Sequence, residues 1–230
     1  MLCAALFLGW CAVAALVSPF LSRARSRRVG RLAIHRAFAF LTWTFTRIGA
    51  IEVDAGALDA LRTAGPMLLA PNHPSMLDVV LVIARLPSVA CIMKAALWDN
   101  PFLGAGARMA GYIRNDSAQS MVRQAVCDLR EGSQLLVFPE ATRTVRHPVN
   151  AFTRGYALIA RRAAVPIQSI FIETDSPYLS KGWPLLRKPP LPMRFHLRLG
   201  RRFDPSQDID ALVAQMQHHY AEQLAARPSP

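Results

Sequence analysis

Short apolar runs recur along the chain, separated by stretches with helical spacing. MLLAP (67–71), VACIM (89–93) and QLLVF (134–138) are continuous and of strand length. Such runs suit strands buried on both faces of a sheet. PIQSIFIE (166–173) reads the same way. MRFHLRLGRRF (193–203) alternates apolar and polar positions, as a strand nearer a sheet edge does. DVVLVIARL (78–86) has helix length and ends at Pro87. Val122, Ala125, Val126 and Leu129 form one helix face, with Gly132 as its stop. Residues 154–163 look helical. Asp208 is placed to cap a last helix with the stripe Ile209, Leu212, Val213, Met216 and Tyr220. Strands alternating with helices predict an α/β fold, an αβα sandwich around a largely parallel sheet. SPYLSKGWPLLRKPPLP (176–192) is Pro-rich and aromatic, and is expected to be a long functional loop.

The first fifty residues follow a different pattern. Residues 1–21, MLCAALFLGWCAVAALVSPFL, carry no charged side chain, and SRARSRR follows at once. A bilayer core takes about 20 apolar residues in a helix. The basic cluster predicts that this flank faces the cytoplasm. A cleaved signal peptide is the rival reading, but its basic region normally precedes the apolar stretch. Ile34, Phe38, Leu41, Phe45 and Ile48 then recur on one face of a second helix, over 31–48. That helix either packs on the domain or lies in the headgroup region beside the first. The expected organisation is an N-terminal membrane anchor over 1–50, made of two helices and a basic linker, and a catalytic domain over 51–230. The expected location is the inner face of the cytoplasmic membrane.

The charge adds a partner. A formal net charge of +12 in 230 residues suits an anionic surface: lipid headgroups, a phosphorylated substrate or nucleic acid. The densest arginine cluster abuts the apolar span and no nucleic-acid motif is present, so lipid explains the charge more simply. Cys3, Cys11, Cys91 and Cys127 show neither disulfide nor metal-ligand spacing and read as small buried hydrophobes. No metal or cofactor is expected.

Four stretches carry candidate chemistry. NHPSMLD (72–78) falls between a predicted strand and a predicted helix, where an open α/β sheet gathers its ligands. Asp78 can hold the Nδ1 proton of His73 and leave Nε2 free to act as a base. Backbone N–H groups at the start of the 75–86 helix are candidate oxyanion donors. FPEATRT (138–144) follows the strand QLLVF and offers Glu140 and Arg143, the latter a bidentate anion clamp. Lys94, at the end of VACIMK, and Arg114, in AGYIRND (110–116), add positive charge at the same rim. AVPIQSI (164–170) places Val165 and Pro166 before a strand.

In this order, His73-x4-Asp78, Gly111 with Arg114, Phe138-Pro139-Glu140-x-Thr142-Arg143 and Val165-Pro166-Ile167 resemble the glycerolipid acyltransferase family. Its familiar members are the 1-acyl-glycerol-3-phosphate acyltransferases. The resemblance covers roughly residues 65–175. It implies acyl transfer from acyl-CoA or acyl-carrier protein to the hydroxyl of a lysophosphatidic-acid-like lipid. His73 is then the base and Asp78 its partner. Glu140, Arg143, Lys94, Arg114 and Gly111 go to the acceptor and its phosphate, and Asn72, Pro139, Thr142, Val165 and Pro166 support the motifs. The family usually has glycine at the position of Ala141, which puts the acceptor in question. A different lysolipid, such as a lyso-ornithine lipid, is the alternative acceptor. An inactive membrane scaffold and a basic nucleic-acid-binding module are alternatives of another class.

Overall fold

The computed structural model describes the backbone of residues 2–100, 104–184 and 187–226, and the side chains of these apart from 2–8 and 12. Cys3 therefore lies outside the described side chains, as do residues 185 and 186 of the Pro-rich loop. In chain order the elements are α1 (Leu2–Val17), α2 (Arg23–Arg47), β1 (Ile51–Asp54), β2 (Met67–Pro71), α3 (Leu77–Arg85), β3 (Val89–Lys94), α4 (Ala95–Trp98) and α5 (Gly104–Met109). They continue with β4 (Ile113–Asn115), α6 (Ala118–Arg130), β5 (Gln134–Leu136), α7 (Gly155–Ala163), β6 (Ile167–Thr174), β7 (Met193–Phe203) and α8 (Ile209–Ala225).

Seven strands form one sheet in the order β1-β7-β6-β2-β5-β3-β4. Every neighbouring pair is parallel except β6 with β7. The fold is α/β with a largely parallel sheet, as the run pattern implied. Side chains along β2 alternate between faces. Leu69 joins a core with Ile34 of α2 and Val82 of α3. Leu68 and Ala70 join a second core with Leu129 of α6, Tyr156 of α7 and Met216 of α8. The strand at 193–203 sits one place in from the edge, because the short β1 pairs outside it. β1 and β4 were not foreseen; each is too short to show a period.

The N-terminal helices differ from expectation in two ways. The second starts at Arg23, so the basic segment expected to be a linker forms its first turns. α1 has 16 residues, about 24 Å at 1.5 Å per residue, against a hydrocarbon core of about 30 Å. Among the described residues no helix is long and apolar enough to cross a membrane. Instead α1 buries Cys11 and Ala14 and lays Trp10 over α5, where a Cβ at Gly106 would stand 2.5 Å from the indole nitrogen.

α2 is bolted to the sandwich by charge. The Arg31 guanidinium is buried and donates to both oxygens of Asp128, at 2.8 and 3.0 Å. Its other N–H groups reach Ser133 Oγ at 2.7 Å, Ala110 O at 3.0 Å and Ser88 O at 3.3 Å. Arg27 shares Asp128 at 3.2 Å and pairs with Glu131. One turn on, Gly30 lets the helix touch the Ala110 backbone, which a Cβ would meet at 2.5 Å. Of the cysteines, Cys11 and Cys91 are buried, but Cys127 is exposed.

Asp128→Ala leaves the buried Arg31 without its counter-ion. We expect a loss of about 3 kcal/mol in folding stability, read from urea denaturation of the full chain. An unchanged midpoint would mean that the α2 anchor contributes nothing.

Candidate active site

β2 ends at Pro71, and its pairing with β6 is continued by a side chain. Asn72 Oδ1 accepts the Ile172 N–H at 2.7 Å, and Nδ2 donates to the Ile172 carbonyl at 2.9 Å. The chain then leaves the sheet at His73, at the carboxyl end of the strand. His73 Nδ1 lies 2.9 Å from Asp78 Oδ2. That oxygen also accepts the Ser75 N–H at 2.8 Å. Asp78 is fully buried, and Oδ1 has no partner among the described residues. Burial pushes its carboxyl up to about 6, with the contacts to His73 and Ser75 pulling the other way. The imidazole stacks on Phe138, centroids 3.7 Å apart and planes 17° from parallel. Its side chain is 14% exposed, and Nε2 makes no hydrogen bond among the described residues.

The neighbouring strand β5 supplies the second loop. Glu140 is buried and takes three donors. Oε1 accepts from the His73 N–H at 3.0 Å and the Thr144 hydroxyl at 2.7 Å, and Oε2 from the Asn150 N–H at 2.8 Å. The Thr144 N–H returns to the His73 carbonyl at 2.7 Å. Glu140 therefore makes no ion pair with Arg143, and its carboxylate faces into the loops. Arg143 turns the other way. Its Nη1 donates to the carbonyls of Leu179 and Ser180, each at 2.8 Å, in the Pro-rich loop that follows β6.

That loop also settles the helix start. Met76 N–H donates to the Leu179 carbonyl, Leu77 N–H to Ser75 Oγ and Asp78 N–H to the Ser75 carbonyl. With Ser75 N–H on Asp78, every N–H from 75 to 78 is used, so the expected oxyanion donors are not free there. Two neighbouring amides, of Thr142 and Arg143, make no hydrogen bond among the described residues. They follow Ala141, whose φ is +54°, an arrangement that presents successive N–H groups to an anion.

The remaining residues spread along the sheet. Register puts Leu69, Leu136 and Cys91 level on β2, β5 and β3. Asn72, Pro139 and Lys94, each three residues further, leave at one height. Lys94 is exposed and two strands from β2, roughly 10 Å at the usual strand spacing. Arg114 is opposite Met93 and held between Asp99, at 2.6 Å, and Asp116. Gly111 is not brought to His73. It sits before β4 with φ +67°, and a Cβ there would stand 2.8 Å from Arg27. Val165 and Pro166 lie at the opposite, amino end of β6, where the Pro166 carbonyl accepts the Leu68 N–H at 3.0 Å. Phe138 as the stacking partner and Asn150 as a donor to Glu140 were not foreseen. Phe138 stands in the quoted FPEATRT stretch, while Asn150 gave no local signal.

A family model described as Acyltransferase matches residues 39–173, more than half of the chain. The chain belongs to the acyltransferase family. This acyltransferase is 23% identical over 181 residues to the 1-acyl-sn-glycerol-3-phosphate acyltransferase of Pseudomonas aeruginosa, covering 76% of this chain and 68% of the relative. It is 33% identical over 111 residues to the lyso-ornithine lipid O-acyltransferase of the same organism, covering 46% and 43%. The crystal structure of the 1-acyl-sn-glycerophosphate acyltransferase PlsC from Thermotoga maritima superposes with a TM-score of 0.66 at 22% identity. It covers 100% of this chain and 97% of that one, a likeness of fold.

Ala141 holds a left-handed backbone that disfavours a Cβ by about 1–2 kcal/mol. Ala141→Gly relieves this while adding freedom to the unfolded chain. We expect a net gain of about 1 kcal/mol, measured by thermal unfolding. A loss of stability would mean that the Cβ makes a contact worth more than the strain.

Proposed function

We propose that this acyltransferase moves a fatty acyl group from a thioester donor, acyl-CoA or acyl-carrier protein, to the free hydroxyl of a lysophosphatidic-acid-like acceptor in phospholipid biosynthesis. The observation that carries this reading is His73. Its Nδ1 is held by a buried carboxylate, its ring is stacked on Phe138, and its Nε2 is unengaged at the carboxyl edge of the sheet. His73 Nε2 takes the proton of the acceptor hydroxyl as the oxygen attacks the thioester carbonyl. The tetrahedral intermediate expels the donor thiolate, which takes the proton from the imidazolium. Asp78 stabilises that imidazolium. The unpartnered amides of Thr142 and Arg143 are the N–H groups we assign to the negative charge that develops.

Acceptor binding falls to the exposed Lys94 and to the rest of the Arg143 guanidinium, with Arg114 further along the edge. Glu140 acts by positioning, through the His73 amide. We place the protein on the inner face of the cytoplasmic membrane. The two N-terminal helices lie in the interface, with Leu16 and Phe20 of the α1–α2 corner, Trp43 of α2 and Ile48 just after it exposed. The mechanism needs no metal or cofactor, since the thioester is already activated.

A second acceptor is kept by two observations. Arg143 Nη1 is occupied by loop carbonyls, and the lyso-ornithine lipid relative matches at 33% identity. An acceptor panel separates the two. Faster transfer to phosphate-free lysolipids than to lysophosphatidic acid would remove the phosphate from the proposal and keep the base.

His73→Ala should lower turnover with lysophosphatidic acid about 10²–10⁴-fold; wild-type turnover in this variant would eliminate the base. Burial pushes the Asp78 carboxyl up to about 6, so Asp78 takes up a proton as pH falls through about 6. Protonation of Asp78 removes the counter-charge that stabilises the imidazolium. Turnover should therefore be full above this region and fall below it. A pH profile flat from 5 to 8 would show that the pair does not limit the reaction.

A further inference from the structure

A cavity of about 610 Å³ lies at the β4 edge of the sheet, where the α1–α2 corner meets α5 and α6. It contains none of His73, Asp78, Glu140 or Arg143, and β2, which leads to His73, is three strands away. Among the described residues four arginines line it, Arg23, Arg27, Arg108 and Arg123, against one carboxylate, Asp128. That carboxylate is already shared by Arg27 and Arg31. Arg108 gives Nη1 to the Trp98 carbonyl at 2.7 Å. Arg23 and Arg123 are exposed and make no hydrogen bond or ion pair among the described residues. Gly111 shapes the wall: a Cβ at its φ of +67° would displace Arg27. The concavity thus presents unneutralised guanidinium groups, whose planar donors match a phosphate.

The rim says how such a phosphate would be presented. Ser18 and Leu21 line the cavity. Their chain neighbours Val17 and Phe20 are exposed, Phe20 by 88%. Apolar side chains beside a basic mouth are the arrangement of a site at a lipid surface, with the hydrocarbon against the first and the headgroup in the second.

We propose that this cavity holds the phosphate of an anionic phospholipid headgroup, a second lipid site separate from the acceptor site at His73. It stands whether or not His73 is the base. Cys127 gives a direct readout, because it is exposed and lines the cavity while Cys11 and Cys91 are buried. The full chain is reconstituted into zwitterionic phosphatidylcholine vesicles with or without phosphatidylglycerol. Maleimide labelling of Cys127 is followed by peptide mass mapping. Phosphatidylglycerol should slow labelling several-fold. Arg23→Gln and Arg123→Gln should each abolish most of that protection, and Arg162→Gln, at an exposed arginine of α7 that does not line the cavity, should keep it. Equal labelling in both vesicles overturns the proposal. So does equal loss of protection in Arg162→Gln, which would reduce the effect to overall charge. Inorganic phosphate added to the phosphatidylcholine vesicles separates the sources: protection by it and none by phosphatidylglycerol overturns the lipid as the ligand and leaves a soluble phosphate site.

Discussion

The active-site edge depends on one buried carboxylate. Glu140 is withdrawn from water, and a carboxylate so placed is stable only if donors replace its hydration. Three do, and they come from three places: the His73 amide, the Thr144 hydroxyl and the Asn150 amide. Meeting that requirement joins the loop after β2 to the loop after β5. The Thr144 amide then closes the ring on the His73 carbonyl. Both backbone polar groups of His73 are thereby fixed by the neighbouring loop. The imidazole between Phe138 and Asp78 inherits its position from that frame.

The two acidic residues of the site are used in opposite ways. Glu140 has every oxygen occupied by donors and serves as a joint. Asp78 keeps one buried oxygen without a partner among the described residues, and burial makes its charge correspondingly expensive. That expense makes Asp78 responsive: a positive charge on His73 is worth more to a carboxylate that has one other donor, the Ser75 amide, than to one fully satisfied. Local sequence does not distinguish these roles, since each residue stands in a short motif beside a strand end. The difference lies in which backbone amides the fold aims at each one.

Much of the sandwich was legible because buried parallel strands leave continuous apolar runs. MLLAP, PIQSIFIE and MRFHLRLGRRF mark β2, β6 and β7 to within a residue. The His73–Asp78 pairing was legible too, since its spacing closes within one helical turn. What escaped notice acts over long separations or through backbone angles. Glu140 and Arg143 look like partners at three residues apart, yet one bonds His73 and the other the loop at 179–180. The helix-start amides look free, yet the Pro-rich loop returns about 100 residues later to accept the Met76 amide and the Ser75 hydroxyl, and Asp78 and Ser75 take the remaining amides within the turn. The positive φ of Ala141 is invisible in a residue that ordinarily avoids it.

The basic segment SRARSRR shows how one stretch can serve two environments. Composition assigns all of its arginines to headgroups, but a helix distributes them by face. Arg27, with Arg31 one turn beyond the segment, turns inward to Asp128, about 100 residues away in sequence, and becomes part of the packing. Arg25 and Arg28 lie on the exposed side. Arg23, a turn before Arg27, faces the cavity between the helix pair and the domain. A buried arginine with a bidentate partner cannot be withdrawn without exposing the carboxylate it covers, so α2 keeps its angle to the sheet. The exposed apolar corner at Leu16 and Phe20 leads into that anchored helix. His73 is placed by a separate set of contacts, the Glu140 frame at the other loops, so the helix pair and the base are each fixed to the one sheet by their own buried carboxylate.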